Sequence, residues 1–174
     1  ARAAADSARA FSMKSEVAPL NDWAGKLPTD GAVLIVTASY NGKPPQNAAG
    51  FVKWLEQAKP GELEGVRYAV LGCGDRNWSN TYQSVPRYID ELLERKGGRR
   101  ISARAEADAG GDMEKQLGQW RRTLWADIGK TFELNVGGDE GQEGPALGVR
   151  FVNAPPDVPF ARTYGAAYAA VRDN

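Results

Sequence analysis

The chain has 174 residues with 22 basic and 22 acidic side chains, enough for one domain with a real core and without the basic field expected of a nucleic-acid binder. It has no histidine, which excludes histidine-dependent triads and His-ligated zinc or haem within the chain, and its one cysteine, Cys73, allows no internal disulfide and fits a reducing, cytoplasmic setting. No apolar run is long enough to span a bilayer, and the N-terminus lacks a charged-then-apolar signal pattern.

The stretch "AAADSARAFSMKS" sets Ala4, Ala8 and Phe11 at helical spacing and reads as a helix already in progress. "SEVAPL" (15–20) is a short strand candidate. Pro28, Asp30 and Gly31 punctuate the loop before "AVLIVT" (32–37), an apolar strand. "NAAGFVKWLEQAK" puts Phe51, Val52, Leu55 and Ala58 on one helical face, and Pro60-Gly61 stops it. "VRYAVLGCGD" (66–75) is a second hydrophobic strand with a glycine-rich exit. "VPRYIDELLERKG" places Val85, Tyr88, Ile89, Leu92 and Leu93 on one stripe, ended by Gly97. "RRISARAEAD" (99–108) is a third and weaker strand. The helix after it carries Met113, Leu117, Trp120, Leu124 and Ile128 on one stripe.

Strands alternating with helices from 16 to 132 predict an α/β domain with a parallel sheet covered on both faces. After Leu134 the texture changes. "NVGGDEGQEGPALG" (135–148) is rich in glycine and acid and reads as a linker. "VRFVN" (149–153) reads as a lone strand, and 149–174 as the start of a further domain or a connecting segment. There is no internal repeat.

In open parallel sheets, ligands sit beyond the carboxyl ends of the strands. Two such ends stand out here, "TASYNGKPP" and "GCGDRNWSNTYQ" (72–83). Both begin with small residues that let backbone N–H groups approach a ligand, and both then present an aromatic, Tyr40 and Trp78. Two aromatics on neighbouring loops can sandwich a flat ring. The plainer reading is that Tyr40 is a rim residue, Trp78 a cap on the core, Gly72-Cys73-Gly74 a tight turn and Asp75 a loop brace. Cys73 has no second cysteine or histidine for a metal site, and no histidine base to make it a nucleophile. No metal ligand and no catalytic acid or base is assigned.

The segments "TASYNGKPPQNA" and "GVRYAVLGCGDRNWSNTYQ", with the order of elements around them, resemble the FMN domain of diflavin reductases. Among these, the chain is similar to the bacterial cytochrome P450 fused to its own NADPH reductase, the self-sufficient fatty-acid hydroxylase type. The resemblance covers roughly 16–165. It implies a flavodoxin-like doubly wound sheet over 1–134. It also implies FMN-dependent relay of electrons from NADPH-reduced FAD to a P450 haem, with the haem and FAD domains on the same polypeptide and fatty-acid hydroxylation as the expected reaction. Tyr40 would stack on one face of the flavin and Trp78 on the other. Ser39, Asn41 and Gly42 would supply backbone contacts to the ring edge. Cys73, Gly74 and Asp75 would run along the pyrimidine side and ribityl chain, and Thr81, Tyr82 and Gln83 would close the site. The alternative reading is a non-catalytic flavodoxin-like module that uses the same pocket for another planar ligand or a protein partner.

The family's domain begins with a strand and a Ser/Thr/Gly-rich loop that cradles the FMN phosphate at a helix N-terminus. No such segment occurs between Ala1 and Leu20, so the first strand and phosphate loop are expected to be missing from this chain. In the strand order 2-1-3-4-5 this leaves an empty slot between "SEVAPL" and "AVLIVT". Arg95, Lys96, Arg99, Arg100 and Arg104 form a basic run, and Glu106, Asp108, Asp112 and Glu114 an acidic one. Each reads first as a solvated surface. For the acidic run the functional alternative is docking to a basic patch on the haem partner.

Overall fold

The structure is a computed structural model that describes residues 1–11 and 13–134. The linker and strand expected after Leu134 lie outside the described residues. Among the described residues, four helices surround a small parallel sheet: α1 (Arg2–Ala10), α2 (Gln46–Gln57), α3 (Ser84–Arg95) and α4 (Met113–Phe132). The strands are β1 (Ala32–Ala38), β2 (Arg67–Gly74), β3 (Arg99–Arg100) and β4 (Ala105–Asp108). β1 pairs with β2 from Ala32↔Arg67 to Ala38↔Cys73, and β3 and β4 both pair with the other edge of β2, all in parallel.

Side chains alternate across each strand, so the two faces of the sheet build two cores. Val33 and Ile35 of β1 and Tyr68 and Val70 of β2 face α2 and α3, where Phe51, Leu55, Ile89 and Leu93 are fully buried. Leu34, Val36, Ala69, Leu71 and Ala107 belong to the other core, with Trp120, Leu124 and Ile128 of α4. This is why "AVLIVT" and "YAVLG" read as unbroken apolar runs. Both faces are covered, as parallel strands require.

The sheet departs from expectation in three places. The "SEVAPL" segment forms no strand. It passes without ladder pairing into a 3₁₀ turn at Leu20–Trp23, and Val17 is exposed. A strand needs a neighbour for its N–H and C=O groups, and among the described residues none lies alongside. The 99–108 strand is split in two. Ile101 N still donates to Tyr68 O at 2.7 Å, but pairing stops until Ala105, and Arg104 sits in the break. Finally, Gly72, Cys73 and Gly74 are not a loop or turn but the last residues of β2.

The segment 13–20 and the Ala4, Ala5 and Ala8 face of α1 stand across a groove from β1. The groove has a volume of about 670 Å³, and Leu34, Val36, Trp125 and Phe132 also line it. It lies on the side of β1 away from β2, where the empty slot was expected. Among the described residues, β1 has a ladder partner on one edge only.

Candidate functional site

Beyond the C-terminal ends of β1 and β2 the chain makes two loops that face each other. The first is a tight hairpin turn. Tyr40 and Lys43 exchange two backbone hydrogen bonds of 2.9 Å, with Asn41 at φ 49° and Gly42 at φ 76° between them. An Asn-Gly pair with both φ positive is the sequence preference of a type I′ turn, and it lifts the Tyr40 ring out into solvent at 75 % exposure. A Cβ on Gly42 would stand 3.2 Å from Thr81 Cγ2, so the glycine also lets the first loop pack on the second. The Ser39 hydroxyl accepts from Val85 N at 3.0 Å and lies 3.1 Å from Ser84 Oγ, tying β1 to the start of α3.

The second loop starts with Asp75, whose carboxylate accepts from Asn77 N at 2.8 Å and starts the short 3₁₀ turn Arg76–Trp78. The next residues fold back. Thr81 N and Tyr82 N both donate to Trp78 O, and Trp78 is left 70 % exposed. Gln83, at φ 59°, reverses the chain into α3 and buries its carboxamide, which donates from Nε2 to Gly72 O at 2.9 Å.

Between these loops lies a cleft of about 340 Å³, at the small end of the range for small-molecule sites, which runs from roughly 300 to 1,000 Å³. Ten of the eleven expected residues line it: Ser39, Tyr40, Asn41, Cys73, Gly74, Asp75, Trp78, Thr81, Tyr82 and Gln83. Gly42 does not. It supports the cleft from behind, through Thr81. The expected reason for the glycines at the end of β2 also changes. A Cβ on Gly72 would fall 1.7 Å from Gln83 Oε1, and one on Gly74 would stand 3.1 Å from the Tyr82 ring. These glycines make room for the residues that close the cleft, so their small size serves packing first.

Burial raises the Cys73 thiol above its ordinary range, so at neutral pH it is a protonated apolar wall. Among the described residues the Tyr82 hydroxyl is buried with no hydrogen-bond partner, and the Arg76 guanidinium lies 5.5 Å from the centre of its ring. Two large aromatic faces held out in solvent around a cleft with an unused buried hydroxyl are what a planar ligand with polar edges would fill.

The acidic run is used largely inside the fold. Asp108 accepts from Arg76 N at 3.1 Å and Gly110 N at 3.0 Å, and its other oxygen pairs with the Arg76 guanidinium at 3.3 Å. Glu106 pairs with Arg104 at 2.9 Å, and Asp112 caps α4 through Lys115 N. Of the basic run, Lys96 Nζ donates to Glu56 O and Ala58 O at the end of α2, and Arg100 binds Asp90 and Glu94. Most of both runs is therefore engaged in ion pairs and caps within the fold, which neither the solvated-surface reading nor the docking reading anticipated. Sequence reasoning did not connect Arg76, Arg104 and Asp108 with the cleft. Lying within charge-rich stretches, they gave no signal apart from their neighbours.

Comparison with known proteins identifies the family of the fold. The flavodoxin family model matches residues 1–120. The chain is 52 % identical, over all 174 residues, to a bifunctional cytochrome P450/NADPH–P450 reductase of Bacillus subtilis (strain 168), and 53 % identical over the same span to one of Bacillus cereus. It spans 16 % of the length of each. Among solved structures, a flavodoxin mutant from Pseudomonas aeruginosa superposes with a TM-score of 0.60 at 22 % identity, covering 73 % of this chain and 87 % of its own. Among the described residues no helix is long and apolar enough to cross a membrane. The chain belongs to the flavodoxin family.

Proposed function

We propose that this chain binds FMN in the Tyr40–Trp78 cleft and relays electrons from an NADPH-reduced FAD domain to a cytochrome P450 haem on the same polypeptide. The observation that carries the reading is the pair of outward-held aromatic faces flanking the cleft. The relatives, which are P450/NADPH–P450 reductase fusions by name, support the identity of the two electron partners. FMN supplies the electron chemistry when bound, and the protein supplies orientation and electrostatics. Tyr40 and Trp78 offer stacking faces. The backbone of Cys73, Gly74 and Asp75 offers polar contacts along one edge, and the buried Tyr82 hydroxyl offers one more. Because the Cys73 thiol stays protonated, it places no charge beside the ring.

A cytoplasmic location fits the lone free thiol. We read 135–148 as the linker toward the FAD domain. The substrate of the haem domain is decided by residues outside this chain.

The test is direct. The full-length polypeptide should purify with the visible bands of a flavin, dithionite should bleach them, and removal of FMN should abolish NADPH-driven haem reduction. A polypeptide that binds no FMN yet reduces its haem at the same rate would overturn the reading.

A further inference from the structure

Gln83 holds a position at the cleft wall that its local sequence does not explain. Its side chain is 1 % exposed and its backbone lies in the left-handed region, which residues with a β-carbon rarely adopt. The carboxamide joins β2 to the break that precedes β4. Nε2 donates to Gly72 O of β2 at 2.9 Å, while Oε1 faces Arg104 Nη1 at 3.4 Å. A carbonyl only accepts and a guanidinium only donates, so one of the two amide orientations satisfies both partners and the flipped one satisfies neither. Arg104 is itself held in place. Its Nη2 donates to Glu106 Oε1 at 2.9 Å, and its side chain is 17 % exposed. Arg104 does not line the cleft.

We propose that Arg104 is a positioning residue of the flavin site. Held by Glu106, it fixes the orientation of the Gln83 carboxamide. That carboxamide in turn holds the end of β2 and the 75–83 loop in register. Two contacts along β2 carry the effect, Gln83 on Gly72 and Tyr82 on Gly74. The interruption of the strand at 102–104 thereby acquires a role, because it is where β4 begins with a cation behind the cleft. The proposal rests on the flavin reading.

The test compares Arg104→Met, Arg104→Lys and Gln83→Glu with the parent in the full-length polypeptide. The readouts are the FMN dissociation constant, the flavin midpoint potentials, and the melting temperature of the flavin-free protein. Arg104→Met should weaken FMN binding on the order of tenfold, the low end of what outer-shell partners contribute at metal sites. It should also move a midpoint potential, without a comparable fall in melting temperature. Arg104→Lys, which restores a donor toward Gln83, should recover most of the affinity. Gln83→Glu keeps the acceptor toward Arg104 but cannot donate to Gly72, so it should weaken binding in the same direction. If Arg104→Met fails to fold, the other two variants decide. Parental affinity and potentials in Gln83→Glu, or an affinity loss in Arg104→Met that lysine does not recover, overturn the proposal while leaving the flavin reading standing. A parent that binds no FMN overturns both.

Discussion

Gly72 and Gly74 show how single residues decide the shape of the cleft. Gly72→Ala would drive a Cβ to 1.7 Å from Gln83 Oε1 and 2.7 Å from Pro86 Cβ. Overpacking of this kind costs about 1–3 kcal/mol. The expected outcome is a lower melting temperature and loss of FMN, measured by unfolding and flavin fluorescence. Trp78→Ala removes a stacking face, which by analogy with base–aromatic stacking is worth roughly 1–3 kcal/mol. FMN retention and haem reduction should both fall. Tyr40→Ala should behave alike and Tyr40→Phe should matter less, since the ring makes the contact. Full flavin occupancy in Trp78→Ala would contradict this. Cys73 should be inert: Cys73→Ala should keep its flavin and its electron-transfer rate. In the flavin-free parent, alkylation by iodoacetamide should rise only above the ordinary thiol range of about 8.5, because burial holds the proton on.

Between elements, the firmest polar link is Arg100, which staples β3 to α3. Its guanidinium makes two 3.0 Å bonds to Asp90 and two more to Glu94, while the buried Tyr68 hydroxyl donates to Asp90 O at 3.0 Å. Asp90 is buried, so Arg100→Met would leave its charge without a partner. We expect a loss of about 2 kcal/mol, below the ~3–5 kcal/mol of a fully buried pair because Arg100 is partly exposed. Arg100 also holds the Glu94 carboxyl below its ordinary range. A lowered acid pKa adds stability that is present above the unfolded value and lost as pH falls through the folded one. The parent should therefore show extra acid sensitivity below about pH 4, and Arg100→Met should flatten that limb, as read by urea unfolding against pH. These elements were mostly legible beforehand. The helix stripes of α2, α3 and α4 and the apolar runs of β1 and β2 announce themselves by period and by burial on two faces, except that Tyr88 of the α3 stripe is exposed and donates to Glu56. "SEVAPL" did not, because its fate turns on whether a neighbouring strand is there to pair with. The split between β3 and β4 did not either, because Arg104 leaves the ladder to meet Gln83, 21 residues earlier in the sequence. Within the site, Tyr40 and Trp78 were legible from their loop positions and the family resemblance. The glycines were legible as small residues but not as the beds for Gln83 and Tyr82, which only the fold brings together.

At the scale of the whole molecule, the groove beside β1 governs how the 174 residues should behave when expressed alone. Its walls are mainly apolar, with Leu34 and Val36 on one side and Ala4, Ala5, Ala8 and Phe132 around them, while Lys14, Ser15, Glu16 and Asp30 also line it. Among the described residues, the outer N–H and C=O groups of β1 have no ladder partner. An open parallel edge beside an apolar groove is a template for pairing with another chain. Water can satisfy those backbone groups only by entering the groove, which leaves the apolar surface wet and forfeits its burial, worth about 25 cal/mol per Å². Left open, as it is among the described residues, this edge leaves the isolated chain hydrated and marginal or drives it to self-associate. Two measurements separate these outcomes from a self-sufficient domain. Sedimentation of the isolated chain should show association that grows with concentration. Its thermal unfolding should be broad or begin low, with weak FMN binding. A soluble monomer that unfolds in one sharp transition and binds FMN as tightly as the full-length polypeptide would show that the groove closes on itself.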